Sequence, residues 1–166
     1  MSIADFCPRL AKILFAAPPK ERLATAAGEI AAFFGVDAHE VAYFQVDSGG
    51  RNAVFRWPPS NNINIPLKSF STALLAATAR EQRGFLNNAF ATTPHLHMFE
   101  HSLAEREQRV PVQKIMSAPL LVGSEVRGIL QVCRKGKTLA EAGADFGDAE
   151  LQELQQVCAV LAQFEL

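Results

Sequence analysis

Three of the chain's four histidines fall within Pro94-His95-Leu96-His97-Met98-Phe99-Glu100-His101. On a helix His97 and His101 stand four apart and share a face, a spacing that lets two imidazoles reach one metal ion, or one of them a haem iron. His95 joins them only off a helix, and no cysteine or third ligand stands near at standard spacing. The same residues read equally as histidines that bond backbone near a helix start or cover a pocket edge. Cys7, Cys133 and Cys158 are odd in number and far apart, with no CxxC pair. Cys133 adjoins Arg134 and Lys135, and cations lower a thiol's pKa, but strand alternation sends Arg134 to the opposite face. Asn87-Asn88 offers amide donors and acceptors without an acid or a base, and Asn also serves turns because it tolerates positive φ. The aromatic set Phe44, Phe55, Trp57, Phe70, Phe85, Phe90 and Phe99 either lines an apolar pocket or fills the core. Paired carboxylates, a Ser-His-acid order and a phosphate-cradling Gly loop are missing, so the expectation is that the chain is not an enzyme.

These residues need elements to position them. Ile3, Phe6, Leu10, Ile13 and Leu14 form one helical stripe, so a helix over about 2–16 either begins near Pro8 or bends there, and Pro18-Pro19 ends it. A second helix is predicted from Glu21 to Phe34, with Gly35 past its end. Val41–Val46 and Asn52–Trp57 are strand formers around Asp47-Ser48-Gly49-Gly50, which supplies hairpin-turn residues. Residues 60–64 read as a loop, Leu67–Arg80 as a helix, and Gly84–Asn87 as a short strand. Thr92-Thr93-Pro94 caps a short helix over His95–Leu103. Two apolar runs, Ile115–Val122 and Val126–Cys133, flank a Gly123-Ser124-Glu125 turn. In the closing helix, Leu151, Leu154, Cys158 and Leu161 form one stripe, and Val157, Val160 and Phe164 an offset second. Two stripes call for a second partner, another helix of the chain or a second copy. Leu10, Leu14, Val157, Val160 and Phe164 are therefore the candidate dimer interface.

Composition bounds the rest. The chain has 166 residues, 49% of them hydrophobic, enough for one domain with a full core. Its net charge of −1 offers no basic face for nucleic acid. No apolar run reaches a membrane span, the start lacks a signal peptide's pattern, and unpaired cysteines fit a reducing compartment. A cytoplasmic protein without membrane or nucleic-acid partners is expected.

The element order and the closing segment together resemble the GAF domain family. Ser117-Ala118-Pro119-Leu120 matches its small-Pro-Leu strand, and Gly123 and Glu125 follow in the turn. Gly128-Ile129-Leu130-Gln131-Val132 matches its Gly-apolar-Leu-Gln strand, and Phe146 through Leu151 its entry to the last helix. The resemblance covers about 20–166 and implies one α+β domain over 1–166. Its PAS-like, mainly antiparallel central sheet would carry the N- and C-terminal helices on one face and a ligand pocket on the other. The pocket would be roofed by about 58–113. Family members that bind cyclic nucleotides carry Asn-Lys after the last strand, then a Phe and an Asp-Glu pair. Here Arg134-Lys135 precedes Phe146, Asp148 and Glu150, which does not favour that ligand, and the two acids suit the first turn of a helix. A bilin-type Cys-His neighbour pair is absent. A sulfoxide-reducing branch uses several cysteines near the pocket, a pattern that Cys7, Cys133 and Cys158 do not reproduce.

The expected function is a non-catalytic sensory or regulatory module that binds an unidentified small molecule and signals through self-association or a partner acting in trans. Its candidate ligand-binding residues are Phe44, Phe55, Trp57, Phe70, Phe85, Asn87, Asn88, His95, His97, Phe99 and Gln131. The alternatives are a homodimeric interaction scaffold with a self-filled pocket, and a redox, metal- or haem-dependent activity with His97 and His101 as weak metal candidates. No cofactor is identified.

Overall fold

Ser2 opens the first helix, α1 (Ile3–Ala16): its hydroxyl accepts from the Asp5 backbone N–H at 3.2 Å, and Asp5 places negative charge in the first turn. The computed structural model describes residues 1–59, 62–69, 73–94 and 110–166. α1 runs through Pro8 instead of starting there. The interior proline's cost of about 3 kcal/mol is offset by burial of Phe6, Leu10 and Leu14, each worth roughly 1.5–3 kcal/mol. α2 (Arg22–Phe34) stops at Gly35, whose φ of +66° is the left-handed conformation that closes a helix at no steric cost to glycine.

β1 (Val41–Val46) and β2 (Asn52–Trp57) form the predicted hairpin. At its turn the Asp47 carboxylate accepts from Asn52 Nδ2 and from the Arg51 backbone N–H, both at 2.8 Å, and these bonds hold its carboxyl below the usual carboxylate range. β3 (Asn64–Pro66) starts at the last residue of the loop expected over 60–64 and was not anticipated. Three residues, two of them Asn and Pro, carry no strand signal; pairing with the edge of β2 and burial of Ile65 make the strand. α3 (Leu74–Glu81) is shorter than the predicted Leu67–Arg80, because Leu67 turns inward to the core and residues 67–69 form a turn. β4 (Phe85–Asn87), β5 (Val112–Val122), β6 (Glu125–Lys135) and α4 (Asp148–Leu161) complete the order. Pro119 sits within β5; β4 pairs only with Ile115–Ser117, so the outer side of β5 is open beyond them among the described residues, where a missing N–H is tolerated.

The strands form one antiparallel sheet in the order β3-β2-β1-β6-β5-β4. α1, α2 and α4 cover one face with Val41, Tyr43, Met116, Ala118, Leu120, Leu130 and Val132 beneath them. α3 lies on the other, over a second cluster that includes Phe44, Phe55, Ile115, Ile129 and Cys133. Burial on both faces explains why β5 and β6 read as continuous apolar runs instead of alternating ones. Tyr43 lies across Gly128: a Cβ there would stand 2.6 Å from the ring, so the family-like glycine is a packing requirement.

The offset stripe on α4 is answered within the chain. α1 packs on α4, and Leu10, Leu14 and Val157 are fully buried with Val160 at 9% exposure. Phe164 is half-buried, with the Arg22 guanidinium 5.8 Å from its ring centre. Leu10, Leu14, Val157 and Val160 are thus packed within the chain, and Phe164 lies at the edge of that layer. No helix among the described residues is long and apolar enough to cross a membrane.

Candidate functional site

Among the described residues, α3 lies on the sheet face opposite the three-helix layer. Phe44 and Phe55 stack there at 4.9 Å and are 3% and 1% exposed, so they form its floor as core residues. Above β5 and β6, α3 is tied down by a buried polar chain. Gln131 Nε2 donates to Ser117 Oγ at 3.2 Å, Ser117 Oγ lies 2.8 Å from Thr78 Oγ1, and Thr78 Oγ1 donates to the Leu74 carbonyl at 2.8 Å. A hydroxyl has one proton, and Thr78 commits its own to Leu74, so Ser117 is the donor to Thr78. The chain therefore runs one way, from the Gln131 amide to the backbone of α3. All three side chains are buried, and low surrounding polarity strengthens such a chain while making any break costly.

At the C-terminal end of α3 the same face opens into a groove of about 530 Å³. Its floor is Val46, Leu67, Ala76 and Val126; its walls are the β1–β2 turn, the end of α3 and the β5–β6 turn, with Lys68, Arg80 and Glu125 at the rim. Gln82 holds the wall in place: it ends α3 with φ +52°, a rare conformation for a non-glycine residue, and its amide donates to the Ser124 carbonyl at 2.9 Å.

The sequence-predicted ligand residues separate. Gln131 and Phe85 lie on the α3 face, Phe85 beside Ser117 in register and under the Arg83 guanidinium at 3.9 Å. Trp57 is on the opposite face, where its indole N–H donates to the Ala38 carbonyl at 2.9 Å, because the register shift in β1–β2 places it opposite Tyr43. Asn87 does turn chemistry, accepting from the Ala89 N–H at 2.8 Å and donating to Thr93 Oγ1 at 3.1 Å. Asn88 is a clip: its amide donates to the Phe146 carbonyl at 3.0 Å and accepts from the Phe146 N–H at 2.9 Å, fixing the entry to α4. Phe70, His95, His97, Phe99 and His101 lie outside the described residues. Among the described residues no group of three or more His, Cys, Asp or Glu could hold a metal ion.

Arg134 serves the loop before α4. It donates to the Ala144 carbonyl, pairs with Glu150 at 3.3 Å and lies 4.1 Å over the Phe146 ring, while Glu150 also accepts from the Gly147 N–H. Arg134, Phe146 and Glu150 thus build the helix entry. Cys158, on α4, is buried against β5, where burial pushes its thiol far up, and its Sγ lies 3.7 Å from the Ala118 carbonyl. Cys7 is likewise raised by burial, and Cys133 is buried on the other face. Thr78, Lys68 and Arg80 were not singled out from sequence. The available signal was a lone threonine inside the apolar run Leu74–Ala79, the mark of a polar group that folding must satisfy.

The GAF domain family model matches residues 18–164. Among solved structures, the GAF domain of a phosphoenolpyruvate-protein phosphotransferase from Coxiella burnetii is 13% identical, covers 98% of this chain and 91% of its own, and has a TM-score of 0.71. The A. aeolicus nlh2 GAF domain in an inactive state is 11% identical over 98% and 94% of the two chains, with a TM-score of 0.69. The free methionine-R-sulfoxide reductase of Neisseria meningitidis is 15% identical over 97% and 86%, with a TM-score of 0.66. At these identities the likeness carries the fold alone. No curated protein sequence matches the chain.

Proposed function

The chain belongs to the GAF domain family, a fold that generally serves regulation and sensing, and we propose that it is a non-catalytic sensory module that binds a small molecule on the sheet face under α3. The observation that carries this reading is the groove of about 530 Å³ between α3 and the two hairpin turns, within the roughly 300–1,000 Å³ of small-molecule sites. α3 walls the groove with Ala76, Ala79 and Arg80, and Thr78, between them in the chain, bonds the helix to Ser117 of β5. A ligand that moves α3 would therefore load β5 and β6, on whose opposite face α4 packs. The output would be a change in self-association or in contact with a partner protein.

One of the structural relatives is a sulfoxide reductase, so thiol catalysis is the rival reading. The cysteine chemistry disfavours it. Burial raises Cys158 and Cys7, and a thiolate nucleophile needs the opposite shift.

Native mass spectrometry of the protein as purified, against its denatured mass, tests the proposal. A non-covalent mass excess that disappears in Ala79→Trp, which fills the groove, is the expected result. A bare protein that also binds nothing in a broad metabolite screen would refute it.

A further inference from the structure

The lining of the groove narrows the class of ligand, an inference that rests on the groove being the ligand site. Its floor is aliphatic: Val46, Leu67 and Ala76 are buried, and no aromatic side chain stands among its described lining residues. A planar base or ring system gains most from stacking on an aromatic face, and this floor offers none. An aliphatic body gains from burial area alone, without such a partner.

The rim is cationic although the chain as a whole carries −1. Lys68 is exposed and makes no ion pair among the described residues. The Arg80 guanidinium lies at the rim with Glu81 at 3.5 Å. The Arg51 guanidinium rests on Gly49 in the turn that walls the groove, where the Asp47 carboxylate offsets its charge. Glu125, the acidic lining residue, is engaged by Arg127 at 3.0 Å. The positive excess at the rim sits beside an apolar floor.

We propose that the ligand is a small aliphatic acid, with its chain on the floor and its anionic head at the rim beside Lys68. Neutral and cationic molecules of the same shape are discriminated against by the head-group contact, and short acids by the area they leave unburied.

The test uses the full chain and four probes: octanoate, butanoate, 1-octanol and octylamine, each titrated by backbone amide NMR with the signals of Ala76, Ala79 and Val126 followed. Octanoate should shift these signals saturably and bind tighter than butanoate, by up to about fourfold for each methylene buried. Lys68→Gln, at an exposed position, should weaken octanoate about two- to fivefold and leave octanol unchanged. Octylamine or octanol binding as tightly as octanoate would overturn the inference while keeping the groove as a small-molecule site. Octanoate affinity untouched by Lys68→Gln, or shifts confined to another part of the chain, would overturn it as well. If no probe binds, the inference falls, and the retained mass in the native spectrum decides the sensory reading separately.

Discussion

Removing the Ser117 hydroxyl tests whether α3 is held to the sheet by the polar chain or only by apolar contact. In Ser117→Ala the Gln131 amide loses its acceptor and the Thr78 oxygen loses its donor, all in a site 5% exposed or less. Two bonds lost, one leaving a buried donor unpaired, should destabilise the fold by about 2 kcal/mol. Thr78→Val keeps the shape and leaves the Ser117 proton without an acceptor, for about 1–2 kcal/mol. The Leu74 carbonyl keeps the ordinary helical bond of its turn, so little is added there. Because the two hydroxyls are each other's partners, the double variant should fall short of the sum by about 1 kcal/mol. Urea unfolding followed by the fluorescence of Trp57, the one tryptophan of the chain, measures all three. The midpoint should fall with the slope unchanged. Single variants within about 0.5 kcal/mol of the parent, or a double variant equal to the sum, would refute the one-way chain and leave α3 held by Leu75 and Ala76 alone.

Tyr43 is the one tyrosine of the chain, and burial pushes its phenol up to about 12 from a usual value near 10. A folded state that keeps the proton longer than the unfolded state loses stability as pH rises through that window, by about 2–3 kcal/mol between pH 10 and 12 and none below. Absorbance at 295 nm should show its ionisation delayed until unfolding, and Tyr43→Phe should remove that part of the alkaline loss; an unfolded-like titration in the native protein would contradict the burial argument. Asn88→Ala breaks both bonds to Phe146 and should lower stability by about 1–2 kcal/mol while leaving ligand affinity in the groove unchanged. An affinity change without a stability change would return Asn88 to the ligand site.

The sequence by itself determined most of the elements and the family. Local chemistry suffices where neighbours in the chain make the structure. Gly35 ends α2 because it alone enters the left-handed region freely, and Asp47 through Gly50 turns the first hairpin with its own bonds. Two largely apolar runs around Gly123 announce strands buried on both faces. Other features depended on residues far apart in the chain. β3 exists because β2 offers it an edge, which one isoleucine between an asparagine and a proline cannot advertise. The second stripe of α4 was legible, but which element lies on it was not: α1 lies more than a hundred positions earlier, and only packing shows the two helices in contact. The face on which Trp57 lies follows from a one-residue register shift between Tyr43 and Phe44, since a slip of one reverses every side chain after it. Asn88 and Phe146, 58 positions apart, meet as a clip, where the sequence offered only two amides and a motif phenylalanine. The groove is likewise tertiary. Lys68, Arg80 and Glu125 belong to three separate elements, and their convergence on an aliphatic floor is set by where the sheet brings the ends of α3 and the two hairpins together.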